Sequence, residues 1–108
     1  MTIASDMDVV RIRRLLAAGR FEFTHHAFRR AVERNISENE IRETGATVQL
    51  IEDYPDDKYA PSCLLLGYTR LNRPLHLQVT LMAGSRVRII TLYQPNEAEW
   101  KEKYSSRR

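Results

Sequence analysis

The sequence predicts an α+β domain in which N-terminal helices pack on a four-stranded antiparallel sheet, with a short helix near the C-terminus. Two observations favour this class. Hydrophobic residues recur with a helical period up to about Ile41, and from Thr47 onward they alternate as in strands. The breaks between the alternating segments are short, which is typical of antiparallel neighbours. The length of 108 residues, with 43% hydrophobic and 29% charged residues, predicts one domain over residues 1–108.

Three helices are predicted from apolar spacing and capping residues. The first is capped by Asp6 or Asp8 and ends at Gly19. The second runs from its cap Thr24 to about Arg34, and the third follows its cap Ser37. Ser37-Glu38-Asn39-Glu40 forms a capping box, and Arg20 to Phe23 forms a short extended piece. The residues expected to face the core are Val9, Ile12, Leu15 and Leu16 in the first helix, and Ala27, Phe28, Ala31 and Val32 in the second. His26, Arg30 and Arg34 share the opposite face of the second helix.

The second half of the chain predicts strands and a final helix. In order these elements are Thr47–Asp53, Ser62–Arg70, Pro74–Met82, Val87–Tyr93 and a helix through Trp100 to about Tyr104, with turns at Leu71-Asn72 and Gly84-Ser85. The third strand alternates strictly, so Leu75 and Leu77 face the core and His76 faces the opposite side. On the fourth strand Ile90 and Leu92 suit the core. Pairing of these two strands would create an open polar face carrying His76, Gln78, Thr91 and Tyr93.

Composition and spacing argue against several classes of function. No apolar run is long enough to span a bilayer, the N-terminus lacks the pattern of a signal peptide, and Cys63 is the single cysteine, so a cytoplasmic protein without a membrane segment is expected. No glycine-rich phosphate loop occurs, and the histidines and Cys63 lack zinc spacing. We therefore expect neither a metal nor another cofactor. The net charge is +3, with basic sections on either side of an acidic one. This pattern suits a polyanionic partner such as RNA, and it equally suits a solvated surface of mixed charge.

Two segments place histidines beside arginines, Thr24 to Arg34 and Asn72 to His76. Histidine transfers protons near neutral pH and arginine binds phosphate through its planar fork, which is what metal-free cleavage of RNA requires. The predicted catalytic residues are His76, Arg73, His26 and Tyr93, and the predicted RNA-binding residues are Arg30, Arg34, Arg70 and Gln78. We expect the His26/Arg30 face to approach the second segment, so that one joint site forms.

A structural interpretation of the same residues remains open. His76 can be a surface strand residue without a function, and Arg34 can pair with a carboxylate of the acidic section. If His76 faces solvent, its replacement by alanine should change the free energy of unfolding by no more than about 0.5 kcal/mol.

Several motifs in order resemble an uncharacterised family of small bacterial proteins that is catalogued as a domain of unknown function. They are Phe23-Thr24-x-His26-Ala27-x-x-Arg30-x-x-x-Arg34-x-Ile36, Glu52-Asp53-Tyr54-Pro55-Asp56, Pro61-Ser62-x-Leu64-x-Leu66-Gly67, Arg73-Pro74-Leu75-His76, and Ile90-Thr91-x-Tyr93-x-Pro95 with Trp100. The resemblance runs from about Phe21 to the C-terminus and leaves out the first helix.

This resemblance implies a distant relation to the RelE- and MqsR-type toxin ribonucleases, whose helices pack on an antiparallel sheet and which cleave RNA without metal. It implies roles for Arg73, His76 and Tyr93, and a partner that is an antitoxin, such as a small zinc-finger protein. The chain has only three lysines, Lys58, Lys101 and Lys103, which favours free mRNA over ribosome-bound RNA as substrate. The alternatives are a non-catalytic RNA- or protein-binding module and a purely structural accessory domain.

Overall fold

The computed structural model of the chain describes residues 8–58, 60–83 and 85–108. The elements are α1 Val9–Ala17, β1 Phe21–Phe23, α2 His25–Glu33, α3 Glu38–Gly45, β2 Gln49–Tyr54, β3 Ser62–Tyr68, β4 Pro74–Met82, β5 Arg86–Tyr93, β6 Trp100–Lys101 and β7 Ser106–Arg107. The α+β class predicted from the sequence is therefore confirmed. Asp6 and Gly84, which entered the predictions of a cap and a turn, lie outside the described residues.

The three predicted helices begin at capping residues that the sequence identifies. The side chain of Asp8 accepts a hydrogen bond from the Arg11 amide, and that of Thr24 accepts one from the Ala27 amide. The capping box predicted at Ser37 is formed, with both of its reciprocal hydrogen bonds. These local bonds satisfy amide groups that have no partner within the helix. For this reason the sequence predicted the caps Thr24 and Ser37 directly and the first cap as Asp6 or Asp8.

The sheet has five strands in the order β1-β5-β4-β3-β2 and is mixed, so the prediction of four antiparallel strands was wrong. The additional strand is β1, which pairs in parallel with β5 through Phe21 opposite Val87 and Phe23 opposite Ile89. Three residues are too few to show a period of two, and their partner strand lies more than sixty residues later in the chain. The extended piece was expected, but its place in the sheet depends on the tertiary structure.

The predicted C-terminal helix was also wrong, because this segment forms a two-stranded hairpin. Trp100 pairs with Arg107 and Lys101 with Ser106. The connecting turn has positive φ angles of 53°, 56° and 70° at Glu102, Lys103 and Tyr104, which no right-handed helix can contain. Trp100 is 2% exposed, so burial of its indole ring accompanies this arrangement.

The core lies between the helices and one face of the sheet. Leu75, Leu77 and Leu92 are fully buried there, as predicted, but Ile90 is only partly buried. The register between β4 and β5 shifts between Gln78 and Val79, so that Thr91 faces Gln78 while Ile89 faces Val79. This β-bulge leaves Ile90 as the extra residue and allows Ile89 and Leu92 to share the core face.

The second helix lies along the edge of β5 and buries only a narrow stripe. Thr24 Oγ1 donates to the Ile90 carbonyl at the start of α2, and Arg34 Nη1 donates to the Leu92 carbonyl at its end. Ala27 and Ala31 are buried, whereas Phe28 is 55% and Val32 is 66% exposed, contrary to the prediction. The helix therefore contributes its two alanines to the core and leaves the larger Phe28 and Val32 side chains largely outside it. No helix in the described parts of the chain is long and apolar enough to cross a membrane.

Candidate functional site

The face of the sheet opposite the core carries the predicted polar residues. His76 lies opposite Tyr93, and Gln78 lies opposite Thr91, on the paired strands β4 and β5. However, His76 is fully buried, so the expectation that its side chain faces solvent was wrong. The C-terminal hairpin covers it, with the Trp100 ring centroid 4.3 Å from the imidazole centroid in an edge-to-face arrangement.

His76 is held by one hydrogen-bond partner at each ring nitrogen. Nε2 lies 2.8 Å from the carbonyl oxygen of Tyr104, and Nδ1 lies 3.1 Å from the hydroxyl of Tyr93. A carbonyl oxygen only accepts, so Nε2 carries the hydrogen, and Nδ1 of the neutral ring accepts from the Tyr93 hydroxyl. Burial lowers the pKa of His76 and so favours this neutral form. The hydroxyl of Tyr93 is therefore hydrogen-bonded to a neutral imidazole that can accept its proton.

Tyr93 is the member of this pair that a substrate can reach. It is half-buried and lines an open cleft of about 580 Å³, together with Arg34, Arg73, Gln94, Asn96 and Glu99. Burial raises the pKa of Tyr93, and the positive charge of Arg107 opposes that effect. The phenol is therefore protonated at neutral pH, and it can act as a proton carrier only if a neighbouring base takes its proton.

Arg73 is engaged in holding the fold together. Its Nη1 donates to both carboxylate oxygens of Glu40 at 3.0 and 2.9 Å. Other N–H groups donate to the carbonyls of Arg34 and Asn35 and to the Gln94 side chain. Burial raises the pKa of Glu40, but the hydrogen bonds from Ser37 and Arg73 outweigh this and lower it overall. A phosphate at Arg73 would have to compete with these partners.

Arg34 has more capacity to bind an anion than Arg73. It is exposed, and Nη1 donates to the Leu92 carbonyl at 2.7 Å. No carboxylate among the described residues forms an ion pair with Arg34, so the pairing with the acidic section that the sequence left open is not observed. The rest of its planar guanidinium is available to a phosphate in the cleft.

The other predicted residues are distributed around this centre. His26 is exposed and its Nε2 lies 3.4 Å from Thr91 Oγ1, so it borders the polar face without lining the cleft. Arg30 pairs with Glu33 on its own helix. Arg70 lies at a separate depression and pairs with Glu43, while Gln78 donates to Ser62 Oγ at 3.1 Å. The structure thus groups Arg34, Arg73 and Tyr93 in one cleft, with His76 behind it.

Sequence reasoning missed one wall of the cleft, formed by Gln94, Asn96 and Glu99. The available signal was their position just after the last long strand, since loops at strand ends often carry binding residues. It also missed Arg107, whose guanidinium carbon lies 4.6 Å from the Trp100 ring centroid and which pairs with Glu52 at 2.8 Å. The ion pair links the hairpin to β2, and no local pattern in the sequence indicates it.

Two further classes of chemistry can be assessed in the described residues. Burial raises the pKa of the Cys63 thiol to about 12, so this thiol is not a nucleophile at neutral pH. No group of three or more His, Cys, Asp or Glu side chains in the described ranges is arranged to hold a metal ion.

Comparison with known proteins places the chain in a family without assigning an activity. No curated protein and no solved structure matches the chain. The family described as Domain of unknown function (DUF4258) matches residues 23–94, from the end of β1 through β5. This range includes α2, His76 and four cleft residues, Arg34, Arg73, Tyr93 and Gln94, and it ends before the C-terminal hairpin. The match covers more than half of the sequence, and the chain therefore belongs to the DUF4258 family.

Proposed function

We propose that this protein is a metal-independent endoribonuclease that cleaves mRNA, acting as the cytoplasmic toxin of a toxin–antitoxin pair. The observation that carries the proposal is the Tyr93 hydroxyl bonded to His76 Nδ1 at the wall of a cleft that also contains Arg34. This arrangement supplies a linked proton acceptor and an anion-binding group. The family resemblance, which implies a distant relation to RelE- and MqsR-type toxins, supports the same reaction and a small zinc-finger antitoxin as partner.

The first proton transfer follows from the direction of the hydrogen bond. Tyr93 passes its hydroxyl proton to His76 Nδ1 as it takes the proton of the ribose 2′-hydroxyl. The 2′-oxygen then forms a bond to the adjacent phosphorus, and the bond to the 5′-oxygen breaks. The resulting imidazolium is stabilised by the Tyr104 carbonyl at Nε2. The products are a 2′,3′-cyclic phosphate and a free 5′-hydroxyl.

The remaining groups stabilise charge and supply the second proton. Arg34 places its guanidinium against the phosphate oxygens, where a fixed cation stabilises the phosphorane-like transition state. His26 contacts Thr91, which lies two residues from Tyr93 on the same face, or roughly 7 Å along the strand. We assign to His26 the protonation of the leaving 5′-oxygen. The guanidinium of Arg73 donates to the backbone carbonyl of Arg34 and so positions Arg34 at the C-terminal end of α2.

The decisive experiment compares purified wild-type protein with Tyr93→Phe on a mixed-sequence RNA in the presence of EDTA. Wild type should leave cyclic phosphate ends, and Tyr93→Phe should cleave about 10²-fold more slowly or worse, because it removes the transferable proton. Tyr68→Phe is the matched control, since that hydroxyl bonds to the Lys103 carbonyl outside the cleft. Absence of cleavage by wild type, on free and on ribosome-bound RNA, would refute the proposal.

A binding module is the second candidate, and one observation favours it. Both His76 and Arg73 have their polar groups bonded within the protein, as structural residues do. In that case RNA or a protein partner would bind at the cleft with measurable affinity, and no cleavage would occur under any condition.

A further inference from the structure

The cleft that contains Arg34 and Arg73 is also lined by a carboxylate without a cationic partner among the described residues. Glu99 is exposed and forms no ion pair with any described residue. Asn96 fixes its position, because Asn96 Oδ1 accepts from the Glu99 amide at 3.0 Å and Asn96 Nδ2 lies 3.3 Å from Glu99 Oε1. The second carboxylate oxygen has no protein partner within the described chain. It is available as an acceptor in a cleft that also contains Arg34.

Gln94 adds a donor with a defined orientation to the same cleft. Its Oε1 accepts from Arg73 Nε at 2.9 Å, and this bond determines which end of the amide is the nitrogen. Nε2 makes no hydrogen bond within the described residues and can donate to a ligand. The cleft therefore contains a carboxylate acceptor and an amide donor, and Arg34 offers a phosphate contact in the same cleft.

These groups match one nucleobase better than the others. Guanine presents two adjacent donors, N1–H and the N2 amino group, beside the acceptor O6. A carboxylate accepts from both donors at once, and an amide nitrogen donates to O6. Adenine and cytosine present a single amino donor beside an unprotonated ring nitrogen, which would face the carboxylate unfavourably. Uracil presents one N–H between two carbonyl oxygens, one of which would face the carboxylate.

We propose that this cleft binds a guanine nucleotide, with Glu99 and Gln94 on the edge of the base and Arg34 on its phosphate. The inference rests on the proposed function, which it deepens by making guanosine the residue whose 3′-phosphate is attacked. Tyr93 lines the same cleft, and the proposal places its hydroxyl beside the ribose. The cleft volume of about 580 Å³ is within the range of small-molecule sites.

The test measures binding of the four ribonucleoside 3′-monophosphates by NMR titration, so that it does not depend on cleavage. Guanosine 3′-monophosphate should bind at least tenfold more tightly than the other three, as a bidentate base contact provides. Glu99→Gln should abolish that preference, because an amide cannot accept from both donors. Arg34→Gln should weaken binding of all four. Glu97→Gln is the matched control, an exposed carboxylate of the same loop that does not line the cleft.

The outcomes separate this inference from the proposed function. Guanine-selective binding that depends on Glu99, without cleavage of any RNA, would support the inference and refute the enzyme. RNA cleavage with no preference for guanosine at the cut site, and equal binding of the four nucleotides, would overturn the inference and leave the enzyme standing. Failure of all four nucleotides to bind at millimolar concentration would also overturn it.

Discussion

Replacement of His76 by alanine tests whether the C-terminal hairpin covers this residue. His76 is fully buried and makes two hydrogen bonds and edge-to-face contacts with the rings of Trp100 and Tyr93. Removing a large buried side chain costs about 2–5 kcal/mol, and the Tyr104 carbonyl would lose its partner inside the protein. We expect a loss of about 3 kcal/mol in the free energy of unfolding, far more than the 0.5 kcal/mol predicted for a solvent-facing residue.

Urea denaturation monitored by circular dichroism and tryptophan fluorescence provides the measurement, with thermal melting as a second readout. For a domain of this size a loss of 3 kcal/mol lowers Tm by roughly 12–24 °C. His76→Gln is the comparison variant, because its amide nitrogen can donate to the Tyr104 carbonyl in place of Nε2. It should retain more of the stability while losing the proton acceptor for Tyr93. A loss below about 1 kcal/mol for His76→Ala would refute the buried position of the imidazole.

Two further predictions concern pH and Arg73. Burial lowers the pKa of His76 in the folded protein, so the unfolded chain takes up a proton first as the pH falls below 6.5. The free energy of unfolding should therefore decrease from pH 6.5 toward 5. Urea titrations over that range should show a smaller decrease for His76→Gln. Arg73→Met should lower the free energy of unfolding by about 2 kcal/mol, because Glu40 and the carbonyls at the end of α2 lose a charged donor. Arg70 is the control, because its exposed side chain lies 3.6 Å from Glu43. Arg70→Met should change the free energy of unfolding by less than about 0.5 kcal/mol. Equal losses in the two variants would contradict the structural role of Arg73.

Much of the candidate site could be predicted because strand alternation relates sequence directly to geometry. The period of two placed His76 on the face opposite Leu75 and Leu77, and strand pairing brought it beside Tyr93. The role of Arg73 could not be predicted in this way. Its place near His76 in the sequence indicated an anion-binding residue, but its partners lie at the end of α2, on α3 and in the loop after β5, which only the folded chain brings together.

The sequence by itself determined the local elements of this protein. Caps at Asp8, Thr24 and Ser37 fix the helix starts through hydrogen bonds that span three residues, and alternation fixes the faces of the long strand β4. Such interactions are local, so their pattern is present in the order of the residues.

Only the tertiary structure decided the features that depend on distant parts of the chain. The parallel pairing of β1 with β5, the bulge at Ile90 and the burial of His76 under Trp100 each join segments that no local pattern relates. The hairpin at the C-terminus forms because Trp100 buries its ring against the sheet and Tyr104 offers its carbonyl to His76. These long-range contacts outweigh the local preference for a final helix, since burial of apolar surface and satisfaction of buried polar groups contribute more free energy than intrinsic propensity does.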